Sequence, residues 1–399
     1  MLLTRMLDNI CIVMQLRIRL FLPLLAAFAL TAADSSGLDA HRLARIPQRM
    51  QSFVDKHQIA GAVTLVARHG MVGSLDAVGF QDIESKKPMR ADTIFQVMSM
   101  TKPVTAVGVM ILQEEGLLSI NHPVSQYLPE FKGKSITLRD LLTHTSGLPG
   151  APIGPMKDLY QRLDHTLAEA VTEYAGRPLE FEPGSKWVYS NTGIATLGRI
   201  IEVVSGQSYE QFIDARIFRP LGMTDSFFFP PRERIDRIAM VYRYEEPGSL
   251  HRSGAGILGG DPAQYRNGSK YSAPEFGLYS TASGLCRFYQ MMLNRGALDG
   301  RRILSPASVE TMTRNHTGNI HAGWIPGSGF GLGWEVVREP LGTLTLMSPR
   351  AFHHGGAFGT FGWIDPQRDL IGIYLIQREN GPSDARDAFI AMANAAVVE

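Results

Sequence analysis

Strand-like runs occupy both ends of this 399-residue chain while helical periodicity fills its middle, and few folds accommodate that arrangement. Residues 62–68 form a continuous β-rich run, His69-Gly70 offers a turn, and 71–79 reads as the returning partner. Near the other end, residues 331–336, 343–346, 357–364 and 370–377 predict four further strands. Leu43, Ile46, Met50, Phe53 and Val54 recur at helical spacing before the first strand, and 383–398 is amphipathic after the last. From residue 99 to about 310, helices are predicted over 99–115, 137–143, 165–174, 193–205, 209–217 and 283–293. The Pro-, Gly- and Arg-rich stretch 229–272 has no period and predicts irregular chain. Short turns rather than long crossovers join the terminal strands, which predicts antiparallel pairing. The fold class is therefore α+β: one antiparallel sheet built from both ends and flanked by helices, with a helical lobe inserted. The sheet lobe spans about 40–98 and 320–399, the helical lobe about 99–319, within a single domain of 34–399.

Where the chain leaves the first sheet segment it reads Phe95-Gln96-Val97-Met98-Ser99-Met100-Thr101-Lys102-Pro103. A helix beginning near Ser99 places Ser99 and Lys102 on one face of its first turn. The helix N-terminus repels positive charge and so favours a neutral, basic amine. A neutral amine against a hydroxyl activates serine without a histidine. Taken alone, the pair describes a capping serine as well as a nucleophile.

Three other stretches bear on that choice. Glu182-Pro183-Gly184 turns the chain into Tyr189-Ser190-Asn191 just before an apolar helix. Tyr189 would shuttle the serine proton as phenol or phenolate, and Asn191 would orient Lys102 or a substrate carbonyl. A second Tyr-x-Asn, Tyr265-Arg266-Asn267, lies in irregular sequence and is the weaker choice. Late in the chain, His353-His354-Gly355-Gly356-Ala357 reads as a glycine-bearing strand edge that a substrate backbone can approach. His354 would face the cleft as a hydrogen-bond donor or weak cation. His144, in Leu142-Thr143-His144-Thr145-Ser146-Gly147, is a tempting base, but no carboxylate follows it within a turn and it reads as structural.

Composition removes several function classes. Charge is balanced at a formal +1 with no long basic run, so no nucleic-acid partner is implied. No Cys/His spacing resembles a metal site, and no cofactor is implied. Arg17 and Arg19 precede an apolar run, residues 20–30, closed by Thr31-Ala32-Ala33. Residues 1–33 therefore read as a signal peptide, and the protein is expected to be periplasmic or secreted. Membrane contact is expected only if that segment is left uncleaved. Cys11 departs with the leader, leaving Cys286 without an intramolecular partner. No G-x-S-x-G is present, which excludes the nucleophile elbow of α/β-hydrolases.

Ser99-x-x-Lys102, Tyr189-x-Asn191 and His354-Gly355-Gly356, in that order, resemble the three active-site boxes of the penicillin-recognising serine hydrolases. The likeness is strongest to the class C β-lactamase branch, which also holds D-Ala-D-Ala carboxypeptidases and family VIII carboxylesterases. Residues 137–148, Pro220-Leu221-Gly222-Met223 and Gly277-Leu278-Tyr279-Ser280-Thr281 extend it over roughly 40–395. The resemblance implies that Ser99 is the acylated nucleophile, that Lys102 and Tyr189 together form the base, and that Asn191 supports Lys102 and substrate. It also implies an oxyanion hole from the backbone N–H groups of Ser99 and Ala357.

The third box departs from the Lys-Thr-Gly usual in that family. Without the lysine, a substrate carboxylate loses a charge-assisted hydrogen bond of about 1.5–3 kcal/mol. Gly355 also lacks the hydroxyl of the usual threonine. The expectation is a carboxylesterase acting on small acyl esters. A lactam- or D-peptide-cleaving enzyme using the same residues is the alternative, and a non-catalytic cell-wall binding protein is the alternative of another class.

Overall fold

A computed structural model describes residues 36–254 and 269–398; the expected leader and Tyr265-Arg266-Asn267 lie outside the described residues. Strands from the two ends of the chain meet in one sheet: β1 (Gly61–Arg68), β2 (Met71–Asp82), β3 (Lys87–Pro88), β4 (Ser328–Phe330), β5 (Glu335–Val337), β6 (Phe352–Gly355), β7 (Phe361–Asp365) and β8 (Leu370–Leu375). Their order is β4-β5-β6-β7-β8-β1-β2-β3, with each neighbouring pair antiparallel. The first strand thus pairs with the last, Val63 opposite Leu375 and Arg68 opposite Leu370.

Both faces of this sheet are covered, which is why every residue of β1 and β8 is buried and the apolar residues run nearly unbroken instead of alternating. Val63, Leu65 and Ala67 belong to a core shared with the helical lobe, whereas Ala62 and Val66 belong to a second core under the terminal helices. Those terminal helices are α1 (Arg45–Asp55) and α5 (Asp384–Ala395). On the other face lie α2 (Thr101–Glu114), α3 (Asn191–Ser205) and α4 (Ala282–Leu293). Gly372 in β8 is needed for packing: a Cβ there would stand 2.0 Å from the Trp363 ring.

Several sequence expectations are corrected. The helix expected from residue 99 begins at Thr101, after a 3-10 turn over Met98–Met100. Residues 343–346 are not a strand: Gly342–Leu344 is a 3-10 turn in which Leu344 alone is buried, a single apolar anchor between Leu341 and Leu346 at the surface. The run 331–336 is not one strand: it covers the turn between β4, which ends at Phe330, and β5, which begins at Glu335, and Gly333 makes that turn with φ +76. The strand expected from Ala357 starts only at Phe361, after a turn closed by Gly359 N–H on the Gly356 carbonyl (2.9 Å). The irregular stretch 229–272 contains a 3-10 helix, Arg232–Arg237, and a hairpin, Tyr242–Glu246 with Ser249–Arg252. A Pro-Gly turn makes that hairpin, and its polar residues hide the strand period because only Tyr242 is fully buried.

Candidate active site

The residue before Ser99 explains how the serine leaves the sheet. Met98 adopts φ +52, a left-handed conformation costing a non-glycine residue roughly 1–2 kcal/mol. The bend ends the extended segment Phe95–Gln96, which pairs with Tyr279–Ser280, and turns the chain into α2. Thr101 Oγ1 donates to the Met98 carbonyl at 2.6 Å and locks the turn. Ser99 is left half-buried at a cleft, and Lys102 is fully buried one turn inside.

Lys102 Nζ lies 3.1 Å from Ser99 Oγ, 2.8 Å from Asn191 Oδ1 and 2.8 Å from the Glu275 backbone carbonyl. Two of these partners can only accept hydrogen bonds, while the serine hydroxyl can donate. A neutral amine satisfies all three: two N–H groups go to the oxygens and the lone pair to Ser99. Burial favours that form, bringing the Lys102 pKa down to about 7, with Glu275 opposing the shift.

Tyr189 and Asn191 reach this amine because two irregular segments dock side by side. Glu180 N–H bonds the Gly147 carbonyl, Gly184 the Thr145 carbonyl, Val188 the His144 carbonyl and Asn191 the Gly150 carbonyl, at 2.8–2.9 Å. Any side chain at Gly147 would strike the Phe181 carbonyl, at 2.3 Å from its Cβ. His144 sits inside this junction. Its Nδ1 accepts the Ser190 N–H (3.1 Å), its ring lies 4.5 Å from the Tyr189 ring, and burial holds it neutral. It buttresses Tyr189 and makes no contact with Ser99 among the described bonds. The Tyr189 ring lies 4.5 Å from Lys102 Nζ. Burial raises the Tyr189 pKa, which the neighbouring Ser99 hydroxyl partly offsets, so the resting group is the phenol.

The third box ends β6. Gly356 packs on the serine-bearing segment: a Cβ there would stand 2.2 Å from Thr360 Oγ1 and 2.4 Å from the Val97 carbonyl. Thr360 Oγ1 donates to that same carbonyl at 2.9 Å. Gly355 has ordinary space, its nearest neighbour being 3.5 Å away. Ala357 is exposed at the tip of the turn, at the rim of the cleft. His354 departs from expectation. Its Nδ1 lies 2.7 Å from the Gly355 carbonyl, which can only accept, so that nitrogen carries the proton. Burial, with Lys102 nearby, depresses the imidazole pKa to about 3. The ring is therefore neutral, and Nε2, the nitrogen left without a proton, can only accept a hydrogen bond, so this cleft-lining residue is neither the donor nor the weak cation expected.

The cleft has a volume of about 310 Å³ and joins Ser99, Tyr189, His354, Gly355, Gly356 and Ala357 in one wall. Sequence reasoning missed its other walls. Trp324 stands 5.3 Å from the Tyr189 ring and remains 68% exposed. Its loop is pinned by the buried Glu335 carboxylate, which accepts the Trp324 and Ile325 N–H groups at 3.0 and 3.4 Å. Arg386, from α5, closes the far side. A buried carboxylate in apolar sequence was the available signal for Glu335 and for Glu275; nothing in the sequence placed Trp324 or Arg386. Among the described residues no cluster of side chains could hold a metal ion, and no helix is long and apolar enough to cross a membrane.

An antiparallel sheet of this order, a serine leading into a helix, and a lysine buried behind it and hydrogen-bonded to that serine define a serine hydrolase of the penicillin-recognising class. The chain belongs to the beta-lactamase family, whose model matches residues 46–397. It is 30% identical to esterase EstB of Burkholderia gladioli, over 85% of this chain and 91% of that protein. Among solved structures it is similar to EstCE1, described as a hydrolase with promiscuous acyltransferase activity (TM-score 0.76, 27% identity, 90% of this chain and 99% of that one). It is also similar to an octameric penicillin-binding protein homologue from Pyrococcus abyssi (TM-score 0.70, 26% identity, 89% of this chain and 77% of that one).

Proposed function

We propose that the protein is an exported carboxylesterase that forms an acyl-enzyme at Ser99 with small acyl esters. The observation carrying the mechanism is the bonding of Lys102, which matches a neutral amine and leaves its lone pair for the Ser99 hydroxyl. Lys102 takes the Ser99 proton as Oγ attacks the acyl carbonyl, and the N–H groups of Ser99 and Ala357 receive the oxyanion. Tyr189, protonated at rest, gives its proton to the departing alkoxide and recovers one from the Lys102 ammonium. Water then repeats the sequence in reverse and releases the acid.

The ester preference rests on His354. A neutral ring presenting a lone pair repels a substrate carboxylate, whereas an uncharged ester brings nothing for it to repel. The 30% identity to esterase EstB supports the same reading. Arg386 at the far wall is the observation favouring a carboxylate-bearing lactam or D-peptide, since it returns one cation to the cleft. Intact mass spectrometry after separate exposure to a p-nitrophenyl short-chain ester, a penicillin and a D-Ala-D-Ala peptide tests both. An ester acyl adduct that turns over, absent in Ser99→Ala, is expected; wild-type turnover by Ser99→Ala overturns the mechanism. Faster turnover of the penicillin or peptide than of the ester overturns the preference. Export predicts a secreted or periplasmic form whose N-terminal residue is Asp34, read by N-terminal sequencing of that fraction.

A further inference from the structure

Behind Lys102 the fold encloses a second ionisable side chain that the acylation chemistry does not touch. Glu275 has 0% exposure. Its backbone carbonyl holds Lys102 Nζ at 2.8 Å, and its buried carboxyl acts on the same amine electrostatically. Tyr271 Oη donates to Glu275 Oε1 at 2.8 Å, while Glu275 Oε2 is buried without a hydrogen-bond partner. The groups that face this carboxyl come from every element packed around it. They are Lys102 from α2, Tyr271 from its own loop, Tyr160 from the helix Leu159–Arg162, Tyr174 from Leu167–Ala175, Tyr209 from Tyr209–Ile213, and Tyr189 before α3. Tyr160 and Tyr174 keep buried hydroxyls without a bond of full geometry, although both interact electrostatically with Glu275. Among these neighbours Lys102 alone can become positive.

A buried carboxyl whose second oxygen has only the imperfectly aligned Tyr160 hydroxyl to meet is costly, and hydrogen bonding does not account for it, because a glutamine would accept the tyrosine protons equally well. What glutamine cannot do is carry charge next to the amine. We propose that Glu275 is a positioning residue that sets how readily Lys102 gives up its proton, a role that rests on the acyl-enzyme reading above. As a carboxylate it favours the Lys102 ammonium; as the acid it leaves the amine free to act as base. Burial raises the Glu275 pKa to about 7, the same region to which Lys102 falls, so the two charges respond to each other where the enzyme works. Tyr271 sharpens this by bonding the carboxylate.

The test uses the rate of Ser99 phosphonylation by a fluorophosphonate between pH 5 and 9, a readout independent of the natural substrate. With Glu275→Gln the amine loses its counter-charge, so the acid limb moves to lower pH by roughly half to one unit. Tyr271→Phe, which weakens the carboxylate without removing it, moves the limb the same way by less. A limb unmoved in Glu275→Gln, or a uniform loss at every pH with no shift, gives Glu275 only a structural role and overturns the proposal. Wild-type chain that is never labelled overturns the acyl-enzyme reading and this role with it, which separates the two failures.

Discussion

Replacing Lys102 by methionine should separate what the lysine costs the fold from what it does for the reaction. Methionine keeps the length and the packing but cannot ionise. In the unfolded chain Lys102 holds its proton below its ordinary pKa of 10.5, whereas in the folded protein it holds it only below about 7. Between those values the unfolded state binds more protons, so the wild-type fold gains stability as pH rises, by about 1.4 kcal/mol per unit. Below about pH 7 the whole penalty is present; above pH 10.5 it is gone. Lys102→Met has no such slope. Methionine also forgoes the hydrogen bonds to Asn191 and the Glu275 carbonyl, which shifts the variant's curve by a constant and leaves the slope difference intact. From pH 7.5 to 9.5 wild type should therefore gain about 2.5 kcal/mol on the variant, or roughly 3–5 °C in melting temperature for a domain this large. Paired thermal melts across that range measure it. Parallel curves would show that Lys102 carries no desolvation cost, and the argument for a resting neutral amine would fall with them. The variant should also lose ester turnover by roughly 10³-fold or more at every pH, since no base remains to accept the Ser99 proton.

The third box supplies a steric contrast. Gly356→Ala forces a methyl into the Val97 carbonyl and should cost about 1–3 kcal/mol together with most Ser99 labelling, whereas Gly355→Ala should change either by little; thermal melts and fluorophosphonate labelling check both. Ester turnover in wild type should rise with pH through a midpoint near 7 as Lys102 loses its proton, and a rate flat from pH 5 to 8 would contradict that assignment. His354→Lys restores a cation to the wall of the cleft and should raise the cephalosporin-to-ester ratio of kcat/KM roughly tenfold or more. Trp324→Ala, at an exposed position, should leave the melting temperature unchanged while raising KM for bulky acyl esters, because the ring forms the apolar side of the cleft mouth.

The large architecture was legible because its causes are local and repeated. β1 and β8 are nearly continuous apolar runs, as a strand buried on both faces tends to be. Ser99 and Lys102 were legible as a pair at the start of α2, and Tyr189 and Asn191 as a pair at the start of α3; the resemblance of the three boxes, not spacing, joined the two. What failed was the backbone between. Short strands bounded by left-handed residues, such as the break at Gly333, carry too few residues to show a period. The run 343–346 alternates in sequence like a strand, yet a single leucine has a core to enter. No one-dimensional pattern encodes the bend at Met98, which arises where the serine-bearing segment meets the turn after the third box through Thr360 and Val97.

The same distinction decides what His354 contributes. Sequence identifies an imidazole at a position where a lysine is usual and leaves its charge and tautomer open. The fold closes both questions, because burial removes the charge and the Gly355 carbonyl claims the proton on Nδ1. The nitrogen left to meet substrate is then an acceptor, and what reads as the loss of a cation becomes a reversal of hydrogen-bond polarity. A substrate that gains from this wall brings a donor to it, such as a hydroxyl beside the ester. A hydroxyacyl ester should therefore outpace its deoxy counterpart, and His354→Phe should erase the difference while sparing Ser99 labelling. Equal rates in wild type would show that Nε2 does not meet substrate, and the ester preference would have to rest on Trp324 and the apolar wall alone.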